Sequence, residues 1–275
     1  MNNLDYSSSY QTCCTGNKTM MKSLMRCSFF LLALEGAVLG VPQKMTDSGP
    51  TEGLHHVLLA VPGDVLGHCG GSLISAEWVL TAAYCDRPDL EVILGHHPGL
   101  KGERRKVTKR KKFNNNKTLH NIMLLKVETK SKDKFTTVPL PDENCLSPSK
   151  NTVVQFYGWI NAVYNFAQDR DEPQNLQKGE LSVSACKDVP IQEKQPVPKD
   201  LQHDKQTLLC AAHPPGVDDC ELYAGTSLMH NGVLHGVLVN YDFLCKKQVE
   251  FMDVCAYRDW IKDALKKMKL LCCGL

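Results

Sequence analysis

The sequence predicts an all-β domain closed by one C-terminal α-helix, and three observations predict it. From about Leu54, short apolar or alternating runs (HHVLLAV, GSLISAEWVL, LEVILG, NIMLLKV, TVVQFYGW, GVLHGVLVN) are separated by Gly, Pro and Asn. Strands at such spacing suit a sandwich or a barrel. In Tyr257–Met268 (YRDWIKDALKKM), Trp260, Ile261, Ala264, Leu265 and Met268 recur at three and four residues with lysines between them, the pattern of a helix packed along one face. Hydrophobic residues make up 43% of 275, enough for a packed core and against disorder.

The cysteines set the compartment. Thirteen are too many for an ordinary reduced cytosolic chain of this length, and none has the CxxC spacing of a zinc site, since Cys13-Cys14 and Cys272-Cys273 are adjacent. Structural disulfides in a secreted protein are expected. Lys22 and Arg26 precede the apolar run Phe29–Leu34, and Val38 and Gly40 place small residues at a cleavage site. Glu35 keeps that run well short of the ~20 residues of a membrane span. The expected organisation is a polar extension at 1–20 ahead of a start at Met20 or Met21, then a signal peptide at 21–40. A pro-segment or linker at 41–53 precedes the folded domain at 54–268, and a Cys-containing tail occupies 269–275. No cofactor, metal, nucleic acid or membrane span is expected.

Several segments carry a family pattern. CGGSLISAEWVLTAAYC at Cys69–Cys85, NIMLLKV at Asn121, GWI at Gly158, and GVDDCELYAGTSLMHNGVLHGV from Gly216 occur in an order and spacing that resemble the trypsin-like (chymotrypsin-family) serine proteases. The resemblance covers about Leu54 to Met268. It implies two Greek-key six-stranded β-barrels, about 54–140 and 141–256, followed by a C-terminal α-helix at 257–268. It also implies four bridges: Cys69–Cys85, Cys145–Cys255, Cys186–Cys210 and Cys220–Cys245. Two further family bridges lack both partners, at Val154 with His230 and between the N-terminal segment and a position near Lys178.

Chemistry of this type needs a serine nucleophile, a histidine base and a carboxylate that orients the base. By the resemblance, the base position is Tyr84, the carboxylate position Asn121 and the nucleophile position Ala224. The glycine of the oxyanion hole is Leu222, where a branched side chain disfavours the backbone geometry. A phenol with an ordinary pKa near 10 does not take a serine proton at neutral pH. The aspartate that would pair with a newly cut N-terminus is Tyr223. The reading is a secreted serine protease homologue with a degenerate triad, not an enzyme, acting as a binding protein for an extracellular protein or a sulfated polyanion. The alternatives are an active endopeptidase using displaced groups such as Thr226, Ser227, His230 and His235, or a decoy that occupies protease inhibitors.

Other residues mark smaller features. Lys101–Lys112 (KGERRKVTKRKK) holds eight basic residues and one Glu. That local +7 in a chain of net +2 leaves −5 on the remainder. As a regular strand this run would put Arg104, Lys106, Thr108, Arg110 and Lys112 on one exposed face, with Arg105, Val107, Lys109 and Lys111 on the other, where Val107 points inward. Arg104, Lys106, Arg110 and Lys112 are the candidate polyanion contacts. Asp218 matches the floor of the family's Arg/Lys pocket, but VNYDFLC departs from the family wall, so a vestigial, reshaped pocket is expected. His96 and Pro98 stand where calcium would need oxygen ligands. Neighbouring strand residues face opposite ways, so His55-His56 and His96-His97 form no chelate by themselves. Asn116-Lys117-Thr118 is a glycosylation sequon in a secreted chain. Cys272 or Cys273 is a candidate for an intermolecular disulfide.

Overall fold

The computed structural model describes residues 45–64, 67–99, 101–115, 118–130, 134–159, 175–186, 208–213, 222–240 and 248–272. Six strands close a first barrel: β2 (His56–Ala60), β3 (Cys69–Ser75), β4 (Trp78–Thr81), β5 (Glu91–Leu94), β6 (Glu103–Asn114) and β7 (Leu119–Val127), in the order β2-β3-β4-β7-β6-β5. All of its pairings are antiparallel, and β2 against β5 closes the ring.

The second barrel uses β8 (Val153–Gly158), β9 (Gln177–Ser184), β10 (Leu208–Ala212), β11 (Ser227–His230), β12 (Val233–Asn240) and β13 (Val249–Asp253). They run β9-β10-β13-β12-β11-β8, and β8 pairing with β9 completes the circuit. The two-residue β1 (Thr46–Asp47) adds to the free part of the β9 edge, Thr46 opposite Lys178. This is the expected pair of six-stranded barrels. The run GSLISAEWVL is two strands rather than one, β3 and β4, turning at Ala76-Glu77.

The helix α1 spans Val254–Cys272, three residues earlier and four later than its apolar periodicity predicts. The Asp253 carboxylate accepts the Cys255 backbone N–H at 3.1 Å and so caps the first turn. Val254, Tyr257, Ile261 and Ala264 are buried along one face. The Tyr257 hydroxyl lies 2.7 Å from His120 Nδ1 on β7, and Phe113 of β6 meets the rings of both Tyr257 and Trp260 edge-on. Each fully buried apolar side chain on that face contributes about 1.5–3 kcal/mol. No helix of the described residues is long and apolar enough to cross a membrane.

Alternation fills the two interiors. Val57, Leu59, Leu73, Val79, Val92, Leu94 and Leu125 pack in the first, and Phe156, Leu181, Leu209, Leu222, Leu238 and Phe251 in the second. A third apolar cluster joins Leu58, Ala60 and Ile93 of the first barrel to Trp159, Leu176 and Tyr223 of the second.

Beside that junction lie two buried histidines. His55 Nε2 is 3.2 Å from Ser227 Oγ, so the segment before β2 is tied to β11 across the barrels. His56 is 3% exposed, neither of its ring nitrogens has a protein partner, and its ring lies against Gly70. Burial lowers the pKa of His55 from 6.5 to about 4. For His56, burial first and then the neighbouring His55, His97 and His96 lower it to about 3. Both rings are therefore neutral in the folded protein. Above pH 6.5 the folded and unfolded chains hold the same protons, and stability is full. Below it the unfolded chain takes up protons that the folded one refuses, so stability falls toward pH 4 and levels off below about 3. Urea unfolding between pH 7.5 and 4 is expected to lose several kcal/mol, on the order of 2–4 for each histidine. His56→Phe is expected to flatten the profile; an unchanged profile would refute the assignment.

Candidate functional site at the barrel junction

The positions that the resemblance assigns to catalysis meet where the barrels touch. Tyr84 and Cys85 sit in a 3-10 turn, Ala83–Cys85, directly after β4. Asn121 lies on β7, beside that turn because Thr81 pairs with Met123. Ala224 opens the turn before β11, and its carbonyl accepts the Gly70 N–H of β3 at 2.7 Å. Cys69 and Cys85 are joined, with an S–S distance of 2.04 Å, so the base-position turn is covalently held to β3. The structure thus brings Tyr84, Asn121 and Ala224 together.

Their side chains make a different set of contacts from a proton relay. Asn121 is fully buried, and its Oδ1 accepts the Tyr84 backbone N–H at 2.7 Å, while its Nδ2 has no protein partner. The amide thus serves the backbone of the turn and not the Tyr84 ring. The phenol instead lies under the Arg87 guanidinium, 5.3 Å from the ring centroid, and Arg87 Nη1 donates to the Tyr84 carbonyl at 3.1 Å. Ala224 is 7% exposed and supplies a methyl group. Leu222 is wholly buried in the second interior, where its side chain packs as core.

Tyr223 fills the junction. It is buried with Leu58, Ala60, Ile93, Trp159 and Leu176, and its backbone N–H donates to the Trp159 carbonyl at 2.9 Å. Thr226 closes the turn with its hydroxyl on the Tyr223 carbonyl at 2.7 Å. Gly158 is required opposite: a Cβ there would stand 2.2 Å from Thr226 Oγ1.

Thr226, Ser227, His230 and His235 fall into separate contacts among the described residues. Ser227 is fully buried. Its hydroxyl donates to the Tyr157 carbonyl at 3.2 Å, so Oγ accepts from His55 Nε2. That histidine lies 172 residues away and was not visible as a partner in the sequence. Thr226 is equally buried, with its proton engaged. His230 and His235 face each other at 5.8 Å, and His235 Nδ1 is 3.7 Å from Cys255 Sγ in the bridge to Cys145. Cys186 and Cys210 are likewise joined. Asp218, Cys220, Cys245, Asn116 and Cys273, and the side chain of Cys272, lie outside the described residues.

The basic run is the long strand β6, but it departs from a regular strand. A bulge between Val107 and Lys109 breaks the alternation, so Lys109, expected on the inner face, is exposed. Arg105 is buried, paired with Glu103 at 2.8 Å and set against the Phe135 ring. Three of the four polyanion candidates already hold carboxylates. Arg104 pairs with Glu91 at 3.0 Å, and Arg110 Nε and Lys112 Nζ both reach Asp86, at 3.0 and 2.9 Å. Lys106 is exposed and forms no ion pair among the described residues. Asp86 and Arg87, which follow the base-position turn, are the participants that motif reading passed over.

A carboxylate at position 121 would be buried beside the Tyr84 backbone N–H, with no cation bonded to residue 121 among the described residues. Asn121→Asp is expected to cost about 1–3 kcal/mol at pH 7. The loss should shrink toward pH 5 as the new carboxyl, its pKa raised by burial, takes a proton. Urea midpoints at the two pH values read this; equal losses would contradict it.

Comparison with known proteins agrees with the architecture. Residues 50–261, well over half of the chain, match the family described as Trypsin. Trypsin-4 of Rattus norvegicus is 29% identical over 259 residues, covering 88% of this chain and 99% of the relative. Vaa serine proteinase homolog 1 of Vipera ammodytes ammodytes is 29% identical over 210 residues, covering 72% and 77%. Among solved structures, human heparin binding protein superposes with a TM-score of 0.61 at 21% identity, over 81% of this chain and 96% of its own. Two closed barrels, a closing helix and a sequence match spanning both make the chain a member of the trypsin family.

Proposed function

We propose that this chain is a secreted, non-proteolytic member of its family that works by binding, with strand β6 as the surface for a sulfated polyanion. The observation that carries the loss of proteolysis is the contact set at the junction. The phenol of Tyr84 lies under Arg87, the amide of Asn121 serves a backbone N–H, and Ala224 brings no hydroxyl. Acyl transfer by this route needs an attacking oxygen with a base in hydrogen-bond reach. The Ser–His contact among the described residues, Ser227 with His55, is buried, and its hydroxyl proton lies on a carbonyl. The uncharged side chain of Tyr223 stands at the position where a new N-terminal ammonium would need an anion, so trimming ahead of Met45 meets no carboxylate there.

Binding is supported by what the molecule keeps. Disulfides and packed barrels are maintained, and they suit an oxidising compartment and secretion through the leader at 21–40. The solved fold-mate is named for binding heparin. The case for this chain rests on its own β6, a 12-residue strand carrying the exposed Arg104, Lys106, Lys109 and Arg110 and the half-buried Lys112, with the bulge after Val107 setting Arg110 and Lys112 on the other strand face from Lys109. At about 3.3 Å per residue such a strand matches a linear ligand with repeated charges better than a single anion. A polyanion attracted in this way binds with strong salt dependence.

The purified protein is expected to leave a fluorophosphonate probe unreacted and tripeptide amides uncleaved, and to stay on immobilised heparin above physiological NaCl. Ala224→Ser alone is expected to restore neither labelling nor turnover, because Tyr84 supplies no base. Labelling of the unaltered protein that is lost with Ser227→Ala would instead establish an enzyme with displaced residues.

A further inference from the structure

Asp86 is placed as though it were part of a ligand. It follows the base-position turn immediately, and one carboxylate receives Arg110 Nε on Oδ1 at 3.0 Å and Lys112 Nζ on Oδ2 at 2.9 Å. All three side chains are partly exposed, at 23%, 36% and 32%. The guanidinium of Arg110 also leans on the Arg87 carbonyl at 3.4 Å, so the pair is held against the rim of the degenerate site. A planar guanidinium beside an ammonium is the donor set that a sulfate or carboxylate group takes up. In the folded protein that seat is filled from within.

We propose that Arg110 and Lys112 form an anion seat for one sulfate group of a sulfated polysaccharide, and that Asp86 occupies this seat as a built-in competitor until the polysaccharide displaces it. The inference rests on the polyanion reading above and deepens it. Lys106 and Lys109, exposed and with no ion pair among the described residues, hold the chain first. The Arg110–Lys112 seat joins once Asp86 swings away. Affinity is therefore restrained by one carboxylate, and the cations legible as a basic run act in two groups. The partial exposure of all three side chains lets the exchange occur without moving the barrel.

The comparison is made with the full secreted chain on immobilised heparin and with a size-defined heparin fragment in solution, at several NaCl concentrations. Asp86→Ala is expected to bind at least about threefold more tightly than the unaltered protein, with a steeper dependence on salt because more cations engage the polymer. Asp86→Asn, which keeps the side-chain shape, should shift binding in the same direction by less. Asp142→Asn, which removes an exposed negative charge beside α1, supplies the effect of net charge alone and is expected to be smaller. In an Arg110→Ala, Lys112→Ala background the gain from Asp86→Ala is expected to fall to the Asp142→Asn level. A gain no larger than that of Asp142→Asn, or one that persists undiminished without Arg110 and Lys112, overturns the seat while leaving the polyanion reading intact. No retention of the unaltered protein even at low salt rejects the polyanion reading and the seat with it. Tighter binding to polyglutamate than to the heparin fragment overturns the sulfated class in favour of an acidic polypeptide.

Discussion

Gly225 rests on the carbonyl of Gly70 more closely than any side chain would permit. Its φ is +88°, and a Cβ there would stand 1.9 Å from the Gly70 oxygen. The same Gly70 donates its N–H to the Ala224 carbonyl at 2.7 Å and accepts the Thr81 hydroxyl at 2.7 Å. One backbone contact therefore fixes β3 of the first barrel, the turn before β11 of the second, and β4, which leads into the Tyr84 turn. The left-handed backbone is open to glycine at little cost and strained for other residues. The disulfide between Cys69 and Cys85 is anchored one residue away, so the geometry of the junction is held twice.

What fills this junction has changed character. Tyr223 packs with Trp159 and with Leu58, Ala60 and Ile93, an apolar seam in which no charge has to be compensated. Asn121 keeps the acceptor that the Tyr84 backbone needs without the charge a carboxylate would bring into a fully buried place. His55 and His56 are neutral by burial. These substitutions agree physically: with no imidazolium to stabilise, a buried anion is only a desolvation cost. Acid sensitivity is expected beside this seam, because burial holds His55 and His56 in the uncharged form.

Charge lies on the outside, and along β6 much of it is paired. Glu91 holds Arg104, and Asp86 holds Arg110 and Lys112. Exposed ion pairs of this kind are individually worth about 0–1 kcal/mol. A ligand bearing several anions can thus exchange with them at small cost. The strand looks intensely basic as a string of letters but presents a more selective surface, with some cations ready and others screened. This difference separates the composition of β6 from its chemistry.

Much of the fold was present in local signals: short apolar runs in β2, β5, β7 and β12, three- and four-residue spacing in α1, and cysteines whose order matched the framework of the family resembled. The identities of Tyr84, Asn121 and Ala224 were equally plain, because the type of a side chain is a property of the sequence alone. The sequence thus determined the family, the barrels and the absence of a hydroxyl at position 224. It left undecided whom each polar group would face. The contact of His55 with Ser227, the grip of Asp86 on Arg110 and Lys112, and the bulge that turns Lys109 outward all join residues through strand register and chain crossing. Hydrogen bonds and ion pairs act over a few ångströms, and only closure of the barrels brings such distant residues within that reach.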